Sequence, residues 1–78
     1  MAQVTVRYWA GARQAAGCAT ELLDVTTIGE VRASLATRPR GRELSAIASF
    51  LADGLAATDD TPLRDHGVVD VLPPFAGG

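Results

Sequence analysis

The sequence closes on Pro73-Pro74-Phe75-Ala76-Gly77-Gly78, and the group there with chemistry of its own is the α-carboxyl of Gly78. Such a group has a pKa of about 3.3–3.7, so at neutral pH it is an anion that resists nucleophiles. Condensation with ATP to an acyl-adenylate makes its carbonyl electrophilic, and attack by a sulfur donor then leaves a thiocarboxylate, itself a nucleophile. Glycine suits this use. Without a Cβ, Gly77 and Gly78 can thread a narrow channel at backbone angles closed to other residues. Pro73 and Pro74 fix their own φ and push each preceding residue toward extended geometry, which makes the root of the segment stiff. Four residues beyond Pro74 span roughly 13 Å at ~3.3 Å per residue, enough to enter another protein's active site. The competing reading of the two glycines is a terminus that packs nothing and does nothing.

The rest of the chain has to hold that ending out. Seventy-eight residues make a single domain, residues 1–78, with a small core, because a chain this short buries only ~60–65% of its unfolded surface. Hydrophobic residues are 47% of it but only four are aromatic, so Val, Leu, Ile and Ala must do most of the filling. The lone cysteine, Cys18, cannot form an internal disulfide, and no metal cluster is expected. Nothing resembles a signal peptide or a bilayer span, so no membrane contact and a cytoplasmic location are expected. A net charge of -2 offers nucleic acid no counterion release. Charge is unevenly spread: residues 1–50 carry a net of +2 and residues 51–78 a net of -4. Read along the chain, the ending emerges from an acidic third that would attract a basic partner. All seven basic residues are arginine, so the chain offers no lysine for modification.

Val4, Val6 and Tyr8 alternate with Thr5, Arg7 and Trp9, a period-two strand. Residues 11–17 read as a small-residue loop and 19–25 as a second strand. Thr27 followed three residues later by Glu30 forms a capping box, and Ile28, Val31 and Leu35 keep helical spacing until Pro39 forbids continuation. Residues 38–46 lack a clear period and read as loop with a helical turn. Asp53-Gly54 between apolar runs marks a hairpin over 47–57. Residues 59–67 are rich in turn formers around Leu63, and 68–72, VVDVL, alternate again up to Pro73. One main helix over a mixed sheet of four to five strands, an α+β arrangement, fits this order.

With Tyr8, Trp9, Ala10 and Arg13 after the first strand, a helix from near Thr27, the Pro62-Leu63 turn, a Val-rich last strand and PPFAGG, the chain resembles the small subunit of molybdopterin synthase, a ubiquitin-like sulfur carrier of the MoaD/ThiS family. The likeness spans nearly all 78 residues, and the double proline is its most specific element. It departs at His66-Gly67, where the family usually has Gly-Asp, and at Asp53-Gly54, where an asparagine is common. The resemblance implies the β-grasp fold, in which the first and last strands pair centrally. It also implies a cycle. An ATP-dependent adenylating enzyme activates Gly78, a sulfurtransferase converts it to the thiocarboxylate, and the tail inserts into the large synthase subunit to deliver sulfur to cyclic pyranopterin monophosphate. On that reading the chain binds no cofactor, ATP is used by the activating enzyme, and the pterin site lies on the large subunit.

Trp9, on the face opposite Val4, Val6 and Tyr8, is expected to form with Leu72, Pro73, Pro74, Phe75 and Ala76 the surface that partners grip. Alternatively Trp9 is an edge aromatic covered by loop 10–18. Tyr8 reads as core, His66 as a turn residue, and Cys18 as incidental rather than a persulfide relay. Arg13 either braces its loop or touches a partner, and Arg38, Arg40 and Arg42 read as a solvated run. Three functions stay open: sulfur transfer for molybdopterin, the same chemistry for thiamin or cysteine synthesis, and a ubiquitin-like modifier conjugated through Gly78.

Overall fold

The computed structural model describes residues 1–74, so Phe75, Ala76, Gly77 and Gly78 lie outside the described residues. The elements run β1 (Ala2–Tyr8), α1 (Gly11–Ala16), β2 (Thr20–Val25), α2 (Ile28–Ala36), α3 (Gly41–Ile47), β3 (Ser49–Ala52), β4 (Leu55–Ala57) and β5 (Val68–Leu72). The five strands form one mixed sheet in the order β2-β1-β5-β3-β4. β1 and β5 are parallel, while β2 and β3 flank them antiparallel. This is the expected β-grasp, with the first and last strands paired at its centre.

The alternation in β1 works as anticipated. Val4, Val6 and Tyr8 point to the inner face, where they meet Val69 and Val71 of β5, Phe50 of β3, and Ile28, Val31 and Leu35 of α2. The buried stripe of α2 follows its i, i+3, i+7 spacing. The expected capping box does not close: Thr27 occupies the N-cap position without a side-chain bond, and the Glu30 carboxylate accepts the N–H of Thr26, one residue earlier, at 2.7 Å. Asp53 and Gly54 take φ of 48° and 84°, the left-handed pair that a two-residue type I′ hairpin between β3 and β4 requires.

Two expectations need correction. Residues 11–17 are not a loop, and α1 makes its turns there because Ala12, Arg13, Gln14, Ala15 and Ala16 are strong helix formers. Gly17, at φ 85°, ends α1 by donating its N–H to the carbonyl of Arg13. Residues 41–47 are likewise a helix, α3, that packs on α2. Gly41 makes this approach possible, since a Cβ there would lie 1.9 Å from the carbonyl oxygen of Leu35. Among the described residues α2 is the main helix across the sheet, as expected, two shorter helices stand beside it, and Ile47 belongs to α3 rather than to the hairpin. Among the described residues no helix is long and apolar enough to cross a membrane.

Candidate functional site: the tail root and its flanks

β5 carries the chain toward its C-terminus, and it sits between β1 and β3, bonded on both sides. Trp9 extends the β1 pairing by donating its N–H to the carbonyl of Val71 at 3.1 Å. Leu72 is half-buried opposite Ser49, Pro73 is buried and Pro74 is exposed. Exposure thus rises between Pro73 and Pro74, directly after the central strand ends.

Strand register puts Arg7, Asp70 and Leu51 in one row across the outer face of the sheet, the face without helices. Asp70 is only 5% exposed because two side chains cover it. Arg7 donates through Nε to Oδ1 at 2.6 Å and through Nη2 to Oδ2 at 3.0 Å, a forked ion pair. The indole Nε1 of Trp9 donates to the same Oδ1 at 2.8 Å, and the Arg7 guanidinium lies 5.4 Å from the centre of the Trp9 ring. The Arg7 bond, aided by the Trp9 N–H and opposed by burial, holds the Asp70 carboxyl below its ordinary pKa. Arg7 is correspondingly held more basic than usual, chiefly by its bond to Asp70. Trp9 is therefore outside, as anticipated, and 42% exposed, but it is pinned rather than loose. It presents one ring face beside Leu72 at the tail root, at small entropic cost to anything that docks on it.

A second network braces the inner side of the same end. Tyr8 is core, and its hydroxyl donates to Glu21 Oε2 at 2.5 Å. Burial first, and then this bond, push the phenol well above its ordinary pKa. Arg38 donates to the same Glu21 oxygen at 2.5 Å and to the carbonyl of Ala16 at 2.9 Å, so it ties α1 and β2 to the end of α2. This corrects the reading of Arg38 as solvated. Arg40 and Arg42 are exposed as expected. Arg13 is exposed on α1 and shares a shallow concavity with Arg7, Trp9 and Thr20. Cys18 is half-buried against the core. His66 sits in a turn at φ 65° beside Asp65.

The acidic third of the sequence does not surround the tail root. The carboxylate of Asp53 accepts the N–H of Val68, where β5 begins, and that of Asp65 accepts the N–H of Gln3, where β1 begins. Both lie at the end of the sheet opposite the tail. The acid of that third that does lie near the exit, Asp70, is paired with Arg7. The sequence reading missed Asp70 and Arg7 as site residues. The available signal was an aspartate among valines in VVDVL, on the same strand parity as Leu72.

The family model described as ThiS family matches residues 6–78. Among solved structures, the chain is similar to HVO 2177 of Haloferax volcanii at 25% identity and a TM-score of 0.77, over 99% of this chain and 87% of that one. It is similar to the small archaeal modifier protein 1 of Methanosarcina acetivorans at 25% identity and TM-score 0.77, over 100% and 98%. It also resembles a chain of the complex of subunits 1 and 2 of molybdopterin-converting factor from Helicobacter pylori, at 23% identity and TM-score 0.74, over 97% and 99%. No curated protein matches the chain.

Proposed function

Because the chain belongs to the ThiS family, a family of small ubiquitin-like sulfur carriers, we propose that it is the sulfur-donating small subunit of a molybdopterin synthase. Gly78 supplies the acyl group that is adenylated and then thiocarboxylated, and Gly77 supplies backbone slim enough to follow it into a channel. Pro73 and Pro74 stiffen the root. Trp9, Leu72, Phe75 and Ala76 provide the apolar contact with the large subunit. ATP is consumed by the separate activating enzyme, and a sulfurtransferase brings the sulfur. The chain's own role is positional: it holds an acyl carbon where partners can reach it.

The observation that carries this reading is the Asp70 clamp at the exit of β5. A paired, buried carboxylate on an otherwise uncovered sheet face has no core to stabilise, and its effect is to fix an exposed aromatic beside the tail root. The two-subunit assembly of the Helicobacter pylori neighbour supports a large-subunit partner. A second reading, a protein modifier conjugated through Gly78, is favoured by the likeness to the Methanosarcina acetivorans modifier protein.

The test is intact-mass measurement of the chain purified from its own host, followed by mixing with the large subunit and cyclic pyranopterin monophosphate. A species with one oxygen replaced by sulfur at Gly78, consumed as molybdopterin forms, supports the proposal. Lysine-linked conjugates on a denaturing gel without dithiolene product would transfer the chain to the modifier reading. Activity that survives deletion of Gly77 and Gly78 would defeat both.

A further inference from the structure

At the tail end of the fold, α1, α3 and Pro73 enclose an open groove of about 410 Å³ on the helix side of the sheet. Its floor is apolar, formed by Ala15, Leu44, Ile47 and Pro73, with Arg40 and Glu43 on the rim. Ile47 is 56% exposed there, although it ends a helix whose other face is packed. The arginines around this end differ from the others. Arg7, Arg32, Arg38 and Arg64 each hold a carboxylate. Arg40 and Arg42, at the start of α3, make no ion pair or side-chain hydrogen bond with any described residue.

We propose that this groove is a docking site for the adenylating enzyme that charges Gly78, gripped by an acidic segment with an apolar centre beside the mouth of that enzyme's tail-binding channel. The proposal rests on the carrier reading above. Pro73 is both the root of the tail and a wall of the groove, so a protein that takes in the four residues after Pro74 closes to within roughly 13 Å of Ile47's surroundings. It must cover the groove or leave it facing a gap. The partner's charge follows from this end of α3: Arg40 on the rim and Arg42 in the adjoining hollow, against the single carboxylate of Glu43, favour carboxylates. Such a rim suits a transient encounter, because complementary charge raises the association rate without a large buried area, and an enzyme that charges many carriers must also release each one. Ile47 supplies the apolar anchor that gives the encounter a fixed register.

The experiment uses the full chain with the adenylating enzyme of the same host, following pyrophosphate release against carrier concentration at low and high salt. The double variant Arg40→Glu/Arg42→Glu is expected to raise KM about tenfold, two charge reversals each acting on the scale of an exposed ion pair, with kcat retained. The rise of KM with salt expected for the wild type should flatten in that variant. Ile47→Asp should raise KM while keeping its salt dependence. All three positions are exposed, and far-UV dichroism checks that the variants fold. Wild-type KM and salt response in both variants would overturn the inference while leaving the carrier reading intact. A wild type that is never adenylated would sink the carrier reading and this inference with it. A wild type that sediments as a dimer, with Ile47→Asp monomeric, would give the groove to a second copy. Groove resonances that shift on deletion of residues 75–78 would give it to the chain's own tail. Either result overturns the assignment.

Discussion

Replacing Gly41 by alanine should unseat α3, and the cost can be worked from the packing. An ideal Cβ at Gly41 lies 1.9 Å from the carbonyl oxygen of Leu35, 2.9 Å from its carbonyl carbon and 3.1 Å from its Cδ1. A carbon approaches a carbonyl oxygen no closer than about 3.3 Å, so α2 and α3 must part by about 1.4 Å. The obstacle is a backbone carbonyl in the last turn of α2, which already accepts the N–H of Arg38 and cannot simply rotate aside, and this places the cost toward the top of the ~1–3 kcal/mol range for overpacking. Against it stands the gain of alanine over glycine in a helix, about 1 kcal/mol at most. The net is a loss of about 2 kcal/mol. A 78-residue chain has a total stability of roughly 4–12 kcal/mol, so the variant still folds. At 4–8 °C per kcal/mol, its melting temperature should fall by roughly 8–16 °C. Thermal and urea unfolding, followed by far-UV dichroism, measure this. Gly11→Ala is the matched control, since a Cβ there meets nothing within 4 Å, and it should be neutral or stabilising. A Gly41→Ala protein as stable as wild type would refute the close-approach argument.

Asp70→Asn leaves the Arg7 guanidinium and Trp9 N–H without their shared anion, so the variant should melt lower and its Trp9 emission should move to the red. Asp70 is depressed chiefly by Arg7. Its contribution is therefore present above the ordinary carboxylate pKa of about 3.9 and is lost as pH falls through the lower folded value; an unchanging gap between wild type and variant down the acid limb would contradict the clamp. Tyr8 titrates in the opposite sense. Its raised pKa means the fold needs the protonated phenol, so stability should decline once pH passes the unfolded value of about 10, and Tyr8→Phe should flatten that decline in alkaline urea titrations. Ala10 sits at φ 50° and ψ -128°, where glycine is at home, so Ala10→Gly should stabilise by about 1 kcal/mol in the same melts.

What could be read from the residues, and what could not, divides along the range of the interactions involved. β1, β5 and α2 were visible because large apolar side chains recur at the period of the element, and the β3–β4 turn was visible because its backbone angles demand Asp-Gly. α1 and α3 were missed because their buried faces carry no apolar period. The inner face of α1 is Ala12, Ala15 and Ala16, residues that mimic a small-residue loop, and α3 buries Gly41 and Ser45 while leaving Ile47 outside. A pattern scan therefore gives Ile47 to the next strand. The partner surface was half visible: Trp9 and Leu72 follow from strand parity, but their link through Asp70 joins residues more than sixty positions apart, and only the parallel pairing brings them together.

The same pairing reverses the charge argument that the sequence invites. Composition along the chain places the ending in an acidic third, but a strand has two ends, and β5 enters where Asp53 and Asp65 hold the N–H groups of Val68 and Gln3. Five residues at ~3.3 Å each carry the chain some ~16 Å to the other side of the sheet. There β1 has just delivered Trp9 and then α1 with Arg13, and α3 brings in Arg40 and Arg42. The strand thus moves the chain from an anionic pole to a cationic one, and at about two Debye lengths in physiological salt the first pole is screened from the second. A partner approaching the tail experiences the arginines. A host protein that receives this tail is thus expected to present carboxylates around its channel, the reverse of what the linear charge distribution suggests.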